Sequence, residues 1–190
     1  MKVVFHRHPL LVLDFDIENR PITYLGGDFT TADITSIAWG WYGEDEIHCR
    51  LLTKRESTRK RMLVDFVKAY DQADMVTGHY IRKHDLPIIN GGLMELGLPL
   101  LGPKLTCDTK LDLVKRSGIS ASQESLADMY GIENKKKHMG QMAWRYANRL
   151  TPAGEELTRQ RVCDDISQHK DLRLKLIEAG ALGPPKMWRG

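Results

Sequence analysis

Three acidic side chains follow one another on a segment that has the pattern of a β-strand. Across residues 11–21 apolar side chains alternate with polar ones, and a period of two is typical of a strand. Asp14, Asp16 and Glu18 would therefore share one face of that strand. Carboxylates this close repel one another, and a divalent cation such as Mg²⁺ or Mn²⁺, which prefers oxygen ligands, relieves the repulsion. The same pattern also fits a half-exposed strand with a solvated acidic face.

Two more acids stand in distinctive local contexts. Asp85 follows a short predicted strand and a loop, and it opens a predicted helix. Asp165 lies inside the last long predicted helix. These further acids favour a chemical role for the acidic strand over a merely solvated face.

Length and composition indicate one globular domain over residues 1–190, with its core at about 9–176. Of the 190 residues, 42% are hydrophobic and 28% are charged, which is typical of a water-soluble protein. No apolar run approaches the roughly 20 residues that cross a bilayer, and no signal peptide is evident, so no membrane partner is expected. Cys49, Cys107 and Cys163 form no C-x-x-C pair, which argues against a thiolate zinc site or a disulfide framework. They favour a reducing cytoplasm, that of a host if the chain is viral.

Periodicity predicts a mixed five-stranded sheet flanked by helices. Strands are expected at residues 10–17, 34–42, 47–52, 74–79 and 104–107, and helices at 57–73, 85–96, 108–117, 123–130, 138–148 and 153–179. Asp108 and Asp112 are interpreted as an N-cap and a helix-surface acid rather than as ligands. Residues 180–190 are predicted to form an irregular tail. This element order is that of an α/β ribonuclease-H-like fold.

Three motifs resemble those of a known nuclease family. Phe15-Asp-Ile-Glu18, Gly78-His-x-Ile-x-x-x-Asp-Leu-Pro87 and Cys163-x-Asp165-Ile166 are similar, in the same order, to the motifs of the DEDD group of 3′–5′ exonucleases, which includes the proofreading domains of family B DNA polymerases. The resemblance implies two Mg²⁺ or Mn²⁺ ions held by four ligands: Asp16, Glu18, Asp85 and Asp165. In such a two-metal mechanism the ions activate a water molecule and stabilise the leaving 3′ oxygen.

The same resemblance implies an enzyme that removes nucleotides from single-stranded 3′ ends. DNA is favoured over RNA because the first motif is most similar to that of the proofreading domains. Since no polymerase motif was found on this chain, a polymerase or another replication or repair protein is the expected partner in trans. Two alternatives stay open, namely a 3′–5′ exoribonuclease with the same ligands and a non-catalytic nucleic-acid- or partner-binding module of the same fold.

One catalytic position departs from the family pattern. These exonucleases place a Tyr four residues before the last aspartate or a His five residues before it, whereas this chain has Arg161 and Gln160. Arginine cannot be deprotonated in proteins and is no general base. His169, one helical turn beyond Asp165, and His138, in a predicted loop, are therefore the candidate bases, with His138 narrowly favoured because a loop can close over a substrate. Alternatively, Arg161 holds the scissile phosphate and no protein base is needed.

Loop and cationic side chains supply the candidates for substrate binding. His79 and Tyr80 follow a predicted buried strand and could contact a terminal nucleotide, although the family has Asn where Tyr80 stands. The basic segments 54–61 and 135–137, the latter including Lys137, are predicted to contact phosphates. Such runs are commonly solvated faces, and a net charge of +3 alone does not indicate nucleic-acid binding.

Overall fold

The computed structural model describes residues 9–23, 30–55, 57–114 and 118–190. Its strands are β1 (Val12–Thr23), β2 (Thr30–Trp41), β3 (Ile47–Leu51), β4 (Met75–Gly78), β5 (Lys104–Asp108) and β6 (Lys186–Trp188). Its helices are α1 (Ser57–Gln72), α2 (Asp85–Glu95), α3 (Gln123–Met129), α4 (Gln141–Asn148) and α5 (Pro152–Glu178). Within the described ranges, no helix combines the length and the apolar character that a membrane crossing needs.

The six described strands form one mixed sheet in the order β3-β2-β1-β4-β5-β6. β1, β2 and β3 are joined as an antiparallel meander, while β4 and β5 run parallel to β1. β1 therefore lies at the centre of the sheet, between an antiparallel and a parallel neighbour.

Alternation along β1 gives the sheet two different faces. Leu13, Phe15 and Ile17 are buried in the main core, where Phe15 meets Phe66 of α1 with ring centroids 5.0 Å apart. Helices α1 and α2 pack on this apolar face, and α5 crosses β1, β2 and β3 on the other side. Burying large aromatic and aliphatic side chains is the dominant stabilising term of such a core. The acids of β1 thus face α5.

The predicted irregular tail contains a sixth strand, so the prediction of five strands was one short. β6 pairs antiparallel with β5, and Thr106 Oγ1 donates a hydrogen bond of 2.7 Å to the carbonyl of Lys186. Trp188 is 8% exposed and belongs to the main core. The Gly-Pro-Pro stretch predicted a loop, but burial of one tryptophan pins the residues after it to the sheet edge.

The predicted helix at residues 108–117 was wrong for its described part. Residues 109–112 form turns, and residues 115–117 lie outside the described ranges. Asp108 Oδ1 accepts hydrogen bonds from the N–H groups of Lys110 and Leu111 at 3.0 and 2.9 Å. The side chain of Asp108 thereby closes a local turn that competes with a helix.

Candidate metal and substrate site

Glu18 lies beside a bulge between the two longest strands. The pairing of β1 with β2 shifts there, because Glu18 is opposite Ser36 whereas Asn19 is opposite Ile34. The extra residue is Thr35, whose hydroxyl donates a 3.0 Å hydrogen bond to the carbonyl of Glu18. A bulge bends its strand and redirects nearby side chains. This bulge fixes the course of β1 at Glu18, the last acid of the strand.

Asp85 reaches β1 through β4 and the loop that follows it. Gly78 ends β4, and a Cβ atom there would lie 2.7 Å from the carbonyl oxygen of Phe15, so only glycine permits this approach. Asp85 is 2% exposed, and its Oδ1 accepts a hydrogen bond of 3.3 Å from the N–H of Ile17. Because Ile17 separates the two acids Asp16 and Glu18, this bond places Asp85 next to both.

Helix α5 presents a column of side chains, four residues apart, to the acidic face of β1. The helix column is Arg161, Asp165, His169 and Arg173, and the strand column is Glu18, Asp16 and Asp14. Arg161 Nε lies 3.3 Å from Glu18 Oε1, and Arg173 donates to both oxygens of Asp14 at 3.0 and 3.1 Å. Four residues of a helix rise about 6 Å, and two residues of a strand rise about 6.6 Å. Side chains of the helix column therefore lie opposite successive acids of the strand column.

Four acids line one cavity of about 360 Å³. Asp16, Glu18 and Asp165 each offer a carboxylate oxygen, and these atoms all lie within 4.8 Å of one another. Asp85 lines the same cavity. The structure thus brings together the four acids that the motifs indicated.

The cavity disfavours the charged form of these acids. Burial, followed by repulsion from Asp165, Asp85 and Glu18, raises the pKa of Asp16 well above its usual value. Burial and the neighbouring Asp165 raise the pKa of Glu18 to about 7. Burial raises the pKa of Asp85 to about 7, and it also raises the pKa of Asp165. A nearby positive charge favours ionised carboxylates, so the four acids form a site that is electrostatically prepared for cations.

Two basic side chains stand against the acids on one wall of the cavity. Arg161 Nε lies 2.9 Å from Asp165 Oδ2, but without the alignment of a hydrogen bond, since this nitrogen has no hydrogen-bond partner among the described residues. Arg161 Nη1 donates a hydrogen bond of 2.7 Å to the carbonyl oxygen of Lys137. Lys136 Nζ lies 3.5 Å from Asp165 Oδ1, and its side chain is 19% exposed. Both cations lower the pKa of the acids that they face, against the effect of burial.

The structure places Lys136 in the cavity, whereas the sequence indicated Lys137. Lys137 Nζ donates to Gln160 Oε1 at 2.6 Å, and Lys135 pairs with Asp128 at 3.0 Å. Successive side chains of an extended segment point in opposite directions, so the middle lysine faces the acids. The lysine run was a usable signal, but the direction of each side chain depends on the packing of this segment along α5.

His79 and Tyr80 line another part of the cavity wall, as the sequence indicated. Tyr80 adopts a positive φ of 72°, which costs a non-glycine residue roughly 1–3 kcal/mol. Asp108 holds this conformation because it accepts the N–H groups of Tyr80 and Arg82 at 3.0 and 3.1 Å. Lys110 Nζ lies 4.1 Å from the centre of the Tyr80 ring, in a cation–π contact. Lys110 also lines the cavity, and no sequence pattern indicated this residue.

The described residues that line the cavity do not include His138 or His169. His138 is exposed, on the segment that precedes α4. His169 is 3% exposed, and its Nδ1 lies 3.1 Å from Asp14 Oδ1. The geometry therefore gives no support to His138 or His169 as a base at the four acids.

Comparison with known proteins identifies the fold. No family model matches the chain, and no curated protein matches its sequence. Among solved structures, the chain is similar to the family B DNA polymerase from the hyperthermophilic archaeon Pyrobaculum calidifontis, with a TM-score of 0.64 and 21% identity. The match covers 90% of this chain and 25% of the polymerase chain, so the chain spans a quarter of that polymerase's length. The predicted α/β fold, a mixed sheet flanked by helices, is confirmed and is compatible with a ribonuclease-H-like fold, and the chain has the fold of a domain-sized part of a family B DNA polymerase.

Proposed function

We propose that this chain is a metal-dependent 3′–5′ exonuclease acting on single-stranded nucleic acid. The observation that carries the proposal is the convergence of Asp16, Glu18 and Asp165, with carboxylate oxygens within 4.8 Å of one another, in a cavity that Asp85 also lines. Four carboxyls from β1, α2 and α5 in one cavity have no packing function, because burial and mutual repulsion both oppose their charge.

The donor set fits Mg²⁺ or Mn²⁺. All four side chains are hard oxygen donors, and thiol and imidazole groups are absent from the described cluster of potential ligands. Asp16 would hold the ions together with the other three acids, because burial and the repulsion from Asp165, Asp85 and Glu18 that raise its pKa are both opposed by a bound cation. Two bound ions would supply the Lewis-acid chemistry for displacement at a phosphodiester.

The protein's own cations supply the phosphate contacts. Arg161 offers a planar guanidinium that suits phosphate oxygens, and Lys136 adds a second positive charge beside Asp165. Since arginine keeps its proton, Arg161 binds and orients the phosphodiester and takes no part in proton transfer. This role agrees with its position, one turn before Asp165 on the same helix.

The wall with Tyr80 and Lys110 is suited to the terminal nucleotide. An aromatic ring fixed by its backbone offers a surface for stacking a base, and Lys110 adds a cation for the adjoining backbone. His79 is half-buried, and burial lowers its pKa to about 3, so it stays neutral and is a weak base at pH 7. Its Nε2 is buried without a hydrogen-bond partner among the described residues, which leaves a donor or acceptor for substrate or water.

A non-catalytic binding module is the second candidate, and one observation favours it. Arg161 and Lys136 already neutralise part of the acidic charge from within the protein, so the cluster can persist without a metal. Two internal cations against four carboxyls nevertheless leave an excess of acid, which favours the nuclease.

The deciding experiment uses 5′-end-labelled single-stranded DNA and RNA with Mg²⁺, Mn²⁺ or a chelator. We expect a ladder of products that shorten from the 3′ end only when a divalent cation is present, with DNA degraded faster than RNA. Faster RNA degradation would identify an exoribonuclease. Binding without degradation of either strand, at every metal concentration, would support the non-catalytic module instead.

A further inference from the structure

Two cysteines that are far apart in the sequence meet where β3 packs on α5. Cys49 lies in β3 opposite Ala38 of β2, and Cys163 lies in α5. Both pack against the small buried cluster of Ala38, Val162 and Ile166. The two thiols are close enough to shift each other's pKa, since Cys163 and burial raise the pKa of Cys49 while Cys49 lowers the pKa of Cys163, and both residues remain partly exposed.

Solvent reaches Cys49 through a second cavity of about 360 Å³, which this residue lines. Arg50, Arg61 and Arg159 line the same cavity together with one acid, Glu155, so its lining carries more positive than negative charge. Arg50 and Arg61 both pair with Asp65, at 2.8 and 3.8 Å, and the side chain of Arg61 is 76% exposed. An anionic thiol reagent is therefore attracted to the cysteine pair.

The pair is also close to the proposed active site along the chain. Cys163 lies on α5 between Arg161 and Asp165, two residues from each. An S–S bond of about 2.05 Å is much shorter than any non-bonded contact between two sulfurs, so oxidation must draw α5 towards β3 at this point. A displacement of about 1 Å at reacting groups can cost roughly 10²-fold in rate.

We propose that Cys49 and Cys163 form a reversible disulfide that lowers the activity of the acidic cavity. The oxidant is a small disulfide such as glutathione disulfide. One cysteine thiolate attacks its S–S bond and releases one glutathione thiol; the second cysteine then displaces the other glutathione and closes the protein disulfide. Two protein thiols are thereby oxidised and one small disulfide is reduced to two thiols. The effect on activity rests on the proposed nuclease function, whereas the disulfide itself does not.

The experiment uses the full chain, reduced or treated with glutathione disulfide. Peptide mapping without reductant should find the peptides of Cys49 and Cys163 linked, and the melting temperature should rise by roughly 5–15 °C. The metal-dependent nuclease rate should fall at least about tenfold and return when a dithiol reductant is added. Absence of the linked peptides overturns the proposal, and a linked protein with an unchanged rate overturns its regulatory part. A reduced protein without nuclease activity would contradict the nuclease proposal alone, since mapping and melting still decide the disulfide.

Cys107 provides the matched control because it is 5% exposed in β5, on another part of the sheet. Cys107→Ala should keep both the melting shift and the rate change. Cys49→Ser and Cys163→Ser should each lose both responses. Equal responses in Cys49→Ser and in the unchanged protein would assign the effect to another site.

Discussion

Asp14 and His169 form a buried pair directly next to the cavity acids, with His169 Nδ1 3.1 Å from Asp14 Oδ1. Burial alone would raise the pKa of Asp14, but His169 and Arg173 outweigh it and hold the pKa below its usual value. The charge of Asp14 therefore binds α5 to the sheet. Asp16 and Glu18, on the same face of β1, line the cavity instead. Along this face of β1, Asp14 is bonded to α5, whereas the next acid, Asp16, lines the cavity.

Replacing His169 should accordingly affect stability more than catalysis. We expect His169→Ala to lower the free energy of unfolding by about 2 kcal/mol, because it removes one partner of a buried charge, as measured by urea denaturation. The nuclease rate of the folded fraction should change less than tenfold. His138→Ala should change neither quantity, since His138 is exposed. A general base contributes roughly 10²–10⁴-fold, so a decrease of that size in either variant with its fold intact would restore the histidine mechanism.

Removal of a single cavity acid should abolish both metal binding and activity. In Asp165→Asn, Mg²⁺ or Mn²⁺ should no longer raise the melting temperature, because ligands stabilise a protein only by binding its native state. The matched control is Asp164→Asn, which makes the same charge change on the same helix. Asp164 accepts a hydrogen bond from the N–H of Lys137 and does not line the cavity. Equal metal responses in the two variants would contradict the proposed ligand set.

Arg161 should prove to be a phosphate-binding residue. We expect Arg161→Ala to lower the nuclease rate about 10²-fold, a cost typical of losing one donor to developing charge. Arg161→Lys should recover only part of this, because lysine cannot bind bidentately. Divalent cations should bind Arg161→Ala more tightly than the unchanged protein, since a competing positive charge near Glu18 and Asp165 is gone. Titration calorimetry measures that difference, and weaker metal binding in Arg161→Ala would contradict this account.

The acids of the cavity could be predicted from sequence because each stands in a local pattern. Asp16 and Glu18 follow the alternation of β1, Asp85 opens α2, and Asp165 lies in a helix with a recognisable motif. Lys110 carries no such pattern, and the run that contains Lys136 does not show which of its lysines faces the cavity, because both residues stand in irregular segments whose direction is set by long-range contacts. Lys110 follows the Asp108 turn, and Lys136 lies in the segment that packs on α5.

The position of His169 outside the cavity lining and the sixth strand have the same kind of cause. Helical spacing correctly put His169 on the face of Asp165, but it could not show that Asp14 lies beneath His169. The pairing of β6 with β5 depends on Trp188 and on a hydrogen bond from Thr106, both of which join distant parts of the chain. Local propensity does not report such contacts.

Asp112 should make stability depend on pH in the acid range. Burial alone would raise its pKa, but hydrogen bonds from Arg82, from the N–H of Asp108 and from Lys186 outweigh burial and hold the pKa below its usual value. The unfolded chain then binds a proton at a higher pH than the folded one, so this stabilisation is present above about pH 4 and is lost as the pH falls through the folded pKa.

We therefore expect Asp112→Asn to be about 2–3 kcal/mol less stable than the unchanged protein at pH 7, with a smaller further loss between pH 5 and pH 3. Urea denaturation at several pH values measures both quantities. Asp128→Asn is the control, because among the described residues the side chain of Asp128 pairs only with Lys135, at an exposed position. Parallel stability curves for Asp112→Asn and the unchanged protein would show that Asp112 does not titrate as proposed.

The basic segments 54–61 and 135–137 were both predicted to contact phosphates, but we expect only the lysines that line the cavity to contribute to nucleic-acid binding. Lys136 and Lys110 line the acidic cavity, whereas Lys54 and Lys60 are exposed near α1, away from the cavity wall. Removing one lysine that binds a phosphate of a single strand should reduce the slope of the logarithm of the binding constant against the logarithm of the salt concentration by about 0.7. We expect Lys110→Ala combined with Lys136→Ala to shallow the slope by roughly 1.4, as measured by fluorescence anisotropy with labelled single-stranded DNA. Lys54→Ala combined with Lys60→Ala removes the same charge and should leave the slope unchanged. A shallower slope in this control pair, with none in the cavity pair, would move the binding surface to α1 and contradict the substrate path proposed for the acidic cavity.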